Sequence, residues 1–374
     1  MYKPEILIID DSVEIGEALS VILENLDYST RYFSNPIEAI SYFESEMNSV
    51  VFLDINLPGK SGLELLPMFK KISPKTQIIM ITGERDINSI ISSLSNKASD
   101  FLLKPFSIES VESSLNRAIE YYNLMKEREN YQEALERDIK FGSRIQRQII
   151  FPPRQDPNLI IDYYPVSFLS GHFYNIIDIN ETQKMIVYGN VEGSGVGSGF
   201  IGLYATTLAK DIIQQNESPA KILSHINKEI YFKLNIHTLT MLCLLIDSQR
   251  KVISYSLGGL PEPILFSKKD KTVNYLSSES LIILGVTPES NFENQEILFD
   301  KEDILFIFNN AFFNSRNPDL RESFENLKIS LLDTMKKEGR NTFKDCHDQI
   351  KKYLQNPRNK TAITRDLSFI LYEL

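Results

Sequence analysis

The chain has 374 residues, 42% hydrophobic and 24% charged, which describes an ordinary folded protein too long for one core and predicts two domains with a connector. Its net charge of −10 argues against a nucleic-acid partner, because phosphate binding needs a basic face and pairs such as Lys268 and Lys269 or Lys351 and Lys352 are too small to supply one. The two cysteines, Cys243 and Cys346, exclude a disulfide framework and a thiolate metal cluster and fit a reducing compartment. With no apolar run long enough to span a bilayer and no signal-peptide layout, the expectation is a cytoplasmic protein without a membrane partner.

Residues 1–108 read as the first domain. Residues 5–9 are a short apolar strand ending in Asp10 and Asp11, and 12–25 have helical spacing, with Val13, Leu19, Ile22, Leu23 and Leu26 on one side. Further strands fall near 28–33, 49–53, 77–81 and 100–103, alternating with helices near 36–45, 62–71, 86–95 and from 107 onward. This alternation predicts an α/β domain with a doubly wound parallel sheet, (βα)5, whose site lies at the carboxyl ends of the strands. Asp10 and Asp11 follow the first strand, Asp54 ends the third, Thr82 the fourth and Lys104 the fifth. Three converging carboxylates repel one another and imply a divalent cation between them. Lys104 can pair with Asp54 or with a phosphoryl oxygen placed on it, and Thr82 can donate to the same oxygen.

This set, with LPGKSG after Asp54 and proline after Lys104, resembles the receiver domain of two-component response regulators over the whole segment. The resemblance implies that Asp54 accepts a phosphoryl group from a sensor histidine kinase, and that Asp10, Asp11 and Asp54 hold Mg²⁺. It also implies that Phe101, three residues before Lys104, is a switching aromatic that responds as Thr82 moves. As a residue pattern, Phe101 fits a core position equally well.

Residues 109–150 read as a helical connector. Ser107 can cap its start, with Glu109 and Glu112 favourable to the helix dipole. Val111, Leu115, Ala118, Tyr122 and Met125 recur at coiled-coil spacing, the phase breaks in the polar stretch 126–130, and it resumes shifted at Tyr131, Leu135, Ile139, Ile145 and Ile149. Gly142 weakens the second segment by about 1 kcal/mol relative to alanine, and Phe151, Pro152 and Pro153 end it. The pattern fits either a signalling helix, able to form a homodimer, or a spacer packed on its own domains. The broken phase predicts a hinged, two-piece helix.

Residues 151–374 read as the second domain. Residues 170–200 form a hairpin whose turn spans 178–182, followed by a Gly/Ser-rich turn over 193–199. That turn lacks the Gly-Lys-Ser/Thr ending of a phosphate-binding loop. Helices are expected at 205–215, 218–232, 319–337 and 342–355, and strands at 240–247, 252–257, 264–266, 304–308 and 367–372. His225, His237 and His347 are isolated and have no assigned chemistry.

This half resembles the SpoIIE-type branch of the metal-dependent PPM phosphatases, which implies an α/β/β/α sandwich. The family's GGDFYD falls on SGHFYN from Ser170, its DVSG on NVEG from Asn190 and its AGHPPP on 258–263. LGV recurs at 284–286, TDG falls on Asn309, Asn310 and Ala311, and DDxT on Arg365, Asp366, Leu367 and Ser368. The helix from Arg144 to Pro153 resembles the ARxIQxxLLP helix that switches such phosphatases on; here it is expected to move an interface instead. The four metal-binding aspartates of the family correspond to His172, Asn190, Asn310 and Arg365, and a neighbouring acid to Asn175. Two divalent ions need anionic oxygens, which two amides, an imidazole and a guanidinium do not supply. The expectation is a pseudophosphatase with no catalytic residues and no metal in 151–374, in which the Arg365 guanidinium fills former metal space and hydrogen-bonds Asn190 or Asn310.

An intact input site joined to a silent output site is similar to the RssB-type adaptors. That resemblance implies binding of a stress sigma factor, an anti-sigma protein or its antagonist, with delivery to a protease, all gated by phosphorylation. The alternative is an active SpoIIE-type Ser/Thr phosphatase, with a rebuilt metal site, acting on an anti-sigma antagonist.

Overall fold

The computed structural model describes residues 4–83, 98–150, 156–166, 168–193, 195–215, 217–234, 237–278, 282–313, 318–336 and 342–374. The chain divides into two compact units, Met1–Glu136 and Arg137–Leu374. The helix expected at 86–95 and the terminator at 151–153 lie outside the described residues.

The first unit carries β1 (Ile6–Ile9), α1 (Val13–Asn25), β2 (Thr30–Phe33), α2 (Pro36–Glu46), β3 (Val50–Asp54), α3 (Gly62–Ile72), β4 (Gln77–Gly83), β5 (Asp100–Lys104) and the start of α4 (Ile108–Ile150). The sheet is parallel throughout, in the order β2-β1-β3-β4-β5. Side chains alternate across each strand, so both faces are buried. Leu7, Ile9, Val51 and Leu53 pack with Phe43 of α2 and Phe69 of α3 on one face, and Ile6, Ile8 and Phe52 pack with Leu19 of α1 and Leu115 of α4 on the other. Side-chain oxygens of Ser12, Asn35 and Ser61 cap α1, α2 and α3. Ser107 and Ser110 cap α4 reciprocally, each side-chain oxygen accepting from the other's backbone N–H at 3.2 and 3.1 Å.

Helix α4 is one α-helix of 43 residues, not two hinged pieces. The polar run at 126–130 and Gly142 are tolerated because a single glycine costs only about 1 kcal/mol, which burial of Ile150 in the second core offsets. Val111, Leu115 and Ala118 pack on the first unit's own core, as a spacer would.

The second unit has two antiparallel five-stranded sheets. One contains β7 (His172–Asp178), β8 (Gln183–Val191), β9 (Leu239–Asp247), β10 (Val252–Gly258) and β13 (Gln295–Leu298), in the order β13-β10-β9-β8-β7. The other contains β6 (Leu159–Tyr164), β11 (Ile264–Ser267), β12 (Thr272–Tyr275), β14 (Ile304–Phe308) and β15 (Leu367–Glu373), in the order β12-β11-β14-β15-β6. Helices α5 (Val196–Ile213) and α6 (Pro219–Lys233) cover the first sheet, while α7 (Pro318–Met335) and α8 (Thr342–Gln355) cover the second, with α9 (Pro357–Ala362) behind them. Strand β14 shows how the four layers are glued. Leu305 and Ile307 face the other sheet, whereas Ile304, Phe306 and Phe308 face Phe324 and Leu331 of α7. This is the expected α/β/β/α sandwich.

Candidate functional site

The first site forms where the parallel strands end. Register places Ile9 beside Leu53, Asp54 beside Ile81 and Gly83 beside Lys104, so Asp10, Asp54, Thr82 and Lys104 share one rim of the sheet. Asp10 and Asp54 are buried, and Asp11 is exposed. The Lys104 Nζ lies 2.8 Å from Asp10 Oδ2 and 2.8 Å from Asp54 Oδ1, and the Asn56 N–H donates to Asp54 Oδ2 at 3.1 Å. Burial pushes the Asp54 carboxyl up, against the pull of Lys104; burial also presses the Lys104 ammonium down, but its two carboxylates outweigh that and hold it above the usual lysine value.

The surrounding backbone is fitted to this rim. Tyr32 donates from its hydroxyl to the Asp10 carbonyl at 2.8 Å, in space that α1 leaves at Gly16, where a Cβ would lie 2.2 Å from the Tyr32 ring. A Cβ on Gly62 would lie 2.1 Å from the Asp54 carbonyl, so only glycine lets α3 start there. Thr82 is fully buried beside the rim, and Phe101 is half-buried against the α2–α3 side of the core.

Ligand oxygens of Asp10, Asp11 and Asp54 all lie within 4.8 Å of one another. Asp10 Oδ2 is buried and receives no well-directed hydrogen bond; the Lys104 contact is ionic. That donor set fits a hard divalent cation with oxygen ligands.

The second site is a pocket of about 410 Å³ in the other unit, lined among others by His172, Asn190, Asn310, Arg365, Glu192 and Asp366. His172 and Asn190 face each other across the β7–β8 pair, while Asn309 and Asn310 follow β14 and Arg365 precedes β15. The fold thus brings together four residues spread over nearly 200 positions of sequence.

His172 is buried and has both ring nitrogens engaged: Nδ1 is 2.6 Å from Ser368 Oγ and Nε2 is 3.3 Å from Asn309 Nδ2. Asn309 Nδ2 also donates to the Asp366 carbonyl at 2.8 Å, and Tyr188 Oη lies 2.7 Å from Ser368 Oγ and 2.8 Å from the Ser368 carbonyl. An amide N–H can only donate, so Nε2 accepts and the proton sits on Nδ1, facing Ser368. Ser368 then donates to Tyr188, which donates to the Ser368 carbonyl. Every partner in this chain is neutral. Burial pulls the His172 imidazole down to about 4, although the Asp366 carboxylate draws it back up.

Residues 180–374, more than half of the chain, match the model of the stage II sporulation protein E (SpoIIE) family. The chain belongs to that family. Residues 6–116 match the response regulator receiver domain. The receiver half is 34% identical over 100 residues to the phosphoglycerate transport system transcriptional regulatory protein PgtA of Salmonella typhimurium, covering 27% of this chain and 24% of that one. It is 34% identical over 119 residues to the uncharacterized transcriptional regulatory protein YkoG of Bacillus subtilis, covering 32% of this chain and 52% of that one. The chain thus spans between a quarter and about half of the length of these relatives. The SpoIIE half shares its fold with two solved structures. The SiaA-PP2C domain of Pseudomonas aeruginosa aligns at TM-score 0.53 and 14% identity, over 65% of this chain and 98% of that one. The RsbU and RsbW domains of a Mycobacterium tuberculosis protein align at TM-score 0.50 and 15% identity, over 57% and 59%.

In the SpoIIE domain, the four positions where the family resemblance puts metal-binding aspartates therefore line one pocket. Arg365 is not placed as expected: it is exposed at the pocket wall, and among the described residues no hydrogen bond joins it to Asn190 or Asn310. The space beside His172 is taken instead by Asn309 and Ser368, which the sequence had not marked. Their signal was present, since both sit in the TDG and DDxT frames, at the threonine positions.

This network yields a pH prediction. A histidine with a folded pKa of about 4 against an ordinary 6.5 takes up its proton more readily when unfolded. The stability it protects is complete above pH 6.5 and is lost as pH falls toward 4, to the extent of about 3 kcal/mol. Urea unfolding of His172→Gln is expected to show a correspondingly flatter dependence over this window; an unchanged slope would place the acid sensitivity elsewhere.

Proposed function

We propose that this chain is a response regulator in which phosphorylation of Asp54 gates protein binding by a SpoIIE domain that no longer hydrolyses phosphoesters. The observation that carries the reading is His172: a neutral, buried imidazole with both nitrogens occupied stands where the family needs an anionic ligand. Around it, Asn190, Asn310 and Arg365 add no negative charge, and the Asp366 Oδ1 already accepts from the Val166 N–H at 2.7 Å.

At the receiver, Asp54 supplies the acceptor oxygen for a phosphoryl group from a histidine kinase. Asp10, Asp11 and Asp54 would hold Mg²⁺, which when bound offsets the charge of the phosphoryl oxygens. Lys104 is placed to transfer one of its ion pairs to that group, and Thr82 and Phe101 are the candidate switch residues. The client is a protein: a stress sigma factor, an anti-sigma protein or its antagonist, held or handed to a protease in the cytoplasm, as in RssB-type adaptors.

Acetyl phosphate with Mg²⁺ is expected to label the wild type and not Asp54→Asn, read by Phos-tag electrophoresis. Pull-downs with and without acetyl phosphate are expected to differ in client yield for the wild type alone. Identical partners and affinities in both states would end the gating proposal. Mn²⁺-dependent release of phosphate from a phosphoserine substrate, abolished by EDTA, would instead establish the active-phosphatase alternative.

A further inference from the structure

Helix α4 carries two different apolar faces. One is used within the chain: Val111, Leu115, Ala118 and Ile150 are buried. The other is exposed. Tyr121, Leu124, Tyr131, Leu135, Ile145 and Ile149 lie between 41% and 72% open to solvent. With Arg128, Asp138 and Gly142 they fall at 121, 124, 128, 131, 135, 138, 142, 145 and 149, an unbroken alternation of three and four. The apparent phase break in the sequence came from mixing the two faces. An exposed stripe of this spacing is a coiled-coil seam without its partner.

The two charges in the seam say which partner it takes. Arg128 has Leu124, Met125, Tyr131 and Gln132 at helical-neighbour positions, and Asp138 has Ala134, Leu135, Phe141 and Gly142, so neither finds an opposite charge on its own helix. A parallel pairing of two identical helices would stack Arg128 on Arg128 and Asp138 on Asp138. An antiparallel pairing centred at 133 places Arg128 opposite Asp138 twice. The same register sets Tyr131 against Leu135, Leu124 against Gly142 and Tyr121 against Ile145, so every layer pairs a large side chain with a smaller or oppositely charged one.

We propose that the exposed seam of α4 binds a second copy of this chain as an antiparallel coiled coil over residues 121–145, about 37 Å of helix, with reciprocal Arg128–Asp138 pairs fixing the orientation. Of the positions flanking the seam within 121–145, Met125, Gln132, Ile139, Ala134 and Phe141 are uncharged, and the register sets the one charge, Glu127, against 139–141 of the other copy and away from its own counterpart. The proposal does not depend on the state of the SpoIIE pocket.

The test uses the full chain, whose own Cys243 and Cys346 are buried and out of reach. Sedimentation is expected to show a dimer at micromolar concentration. Asp138→Arg should weaken it roughly ten-fold or more, since two ion pairs become like-charge contacts. Adding Arg128→Asp should restore it, a rescue that a parallel pairing cannot give. Oxidation of mixed Leu124→Cys and Gly142→Cys chains should yield a disulfide-linked dimer, whereas Leu124→Cys alone should not, its two copies being about 27 Å apart along the axis. A monomer at all concentrations, self-linking of Leu124→Cys, or failure of the charge reversal to rescue would each overturn the proposal.

Discussion

Lys104→Met is expected to be the most damaging single substitution in the receiver, at about 3–5 kcal/mol near neutral pH. The side chains of Asp10 and Asp54 are 0% and 3% exposed, and Lys104 is the cation between them, 2.8 Å from each. Removing the ammonium leaves two buried carboxylates facing one another with no counter-charge. The deficit should depend on pH in a defined direction. Burial already holds the Asp54 carboxyl above its ordinary value, and losing Lys104 pushes it further. A carboxyl raised in the folded state is tolerated when protonated, so the deficit is greatest above the folded pKa and fades as pH falls below it. A divalent cation should substitute for the missing charge. Mg²⁺ at concentrations well above its dissociation constant is expected to recover much of the loss, and to stabilise Lys104→Met more than the wild type. Urea midpoints for both proteins with Mg²⁺ and with EDTA decide the matter. A variant with the wild-type midpoint, or one indifferent to Mg²⁺, would mean that the three carboxylates are not a shared cation site.

Much of the receiver was legible because its chemistry sits at strand ends. A short apolar run that stops in Asp10, Asp54 or Lys104 announces both a strand and its functional terminus, and a parallel sheet collects those termini on one side. The SpoIIE domain was legible where its strands are central. Strand β6, LIIDYY, escaped notice because its pairing partner β15 lies some 200 residues away, and β12 and β13 escaped as four-residue edge strands. The start of α5 was misplaced for a physical reason. Glycines near its start read as a turn, yet α5 begins at Val196. A Cβ on Gly202 would meet the Gly171 carbonyl at 3.1 Å, and one on Gly199 would meet Gln146 Nε2 at 3.0 Å, so these glycines serve close packing, not chain reversal. The pocket was half legible. The four altered positions could be found from motif frames, but the hydrogen bonds from His172 to Ser368 and Asn309 join residues 196 and 137 apart and follow only from the sheet-to-sheet packing.

Placing aspartate at all four positions is the converse experiment, and it should give the SpoIIE domain a metal-dependent stability. His172→Asp alone puts a carboxylate where Ser368 and Asn309 now satisfy a neutral ring. A buried charge without a partner costs several kcal/mol, and one carboxylate cannot cage two ions. The single variant should therefore lose stability and gain no metal. With Asn190→Asp, Asn310→Asp and Arg365→Asp added, the same 410 Å³ pocket gains three further anions and loses its cation, next to Glu192 and Asp366. In EDTA this quadruple variant is expected to unfold more easily than the single one, because like charges repel across the pocket. In Mn²⁺ the order should invert, since binding only to the folded state adds stability in proportion to the logarithm of metal concentration. Calorimetric stoichiometry separates the two domains: the wild type should bind one ion, through Asp10, Asp11 and Asp54, and the quadruple variant more than one. If the wild type already binds extra Mn²⁺ that His172→Ala removes, the pocket is a metal centre as it stands and the active-phosphatase reading replaces the present one. If the quadruple variant folds yet binds no more metal than the wild type, carboxylates alone do not make this pocket a metal site, and the backbone at Gly193 and Gly195, with φ of 111° and 90°, becomes the next place to test.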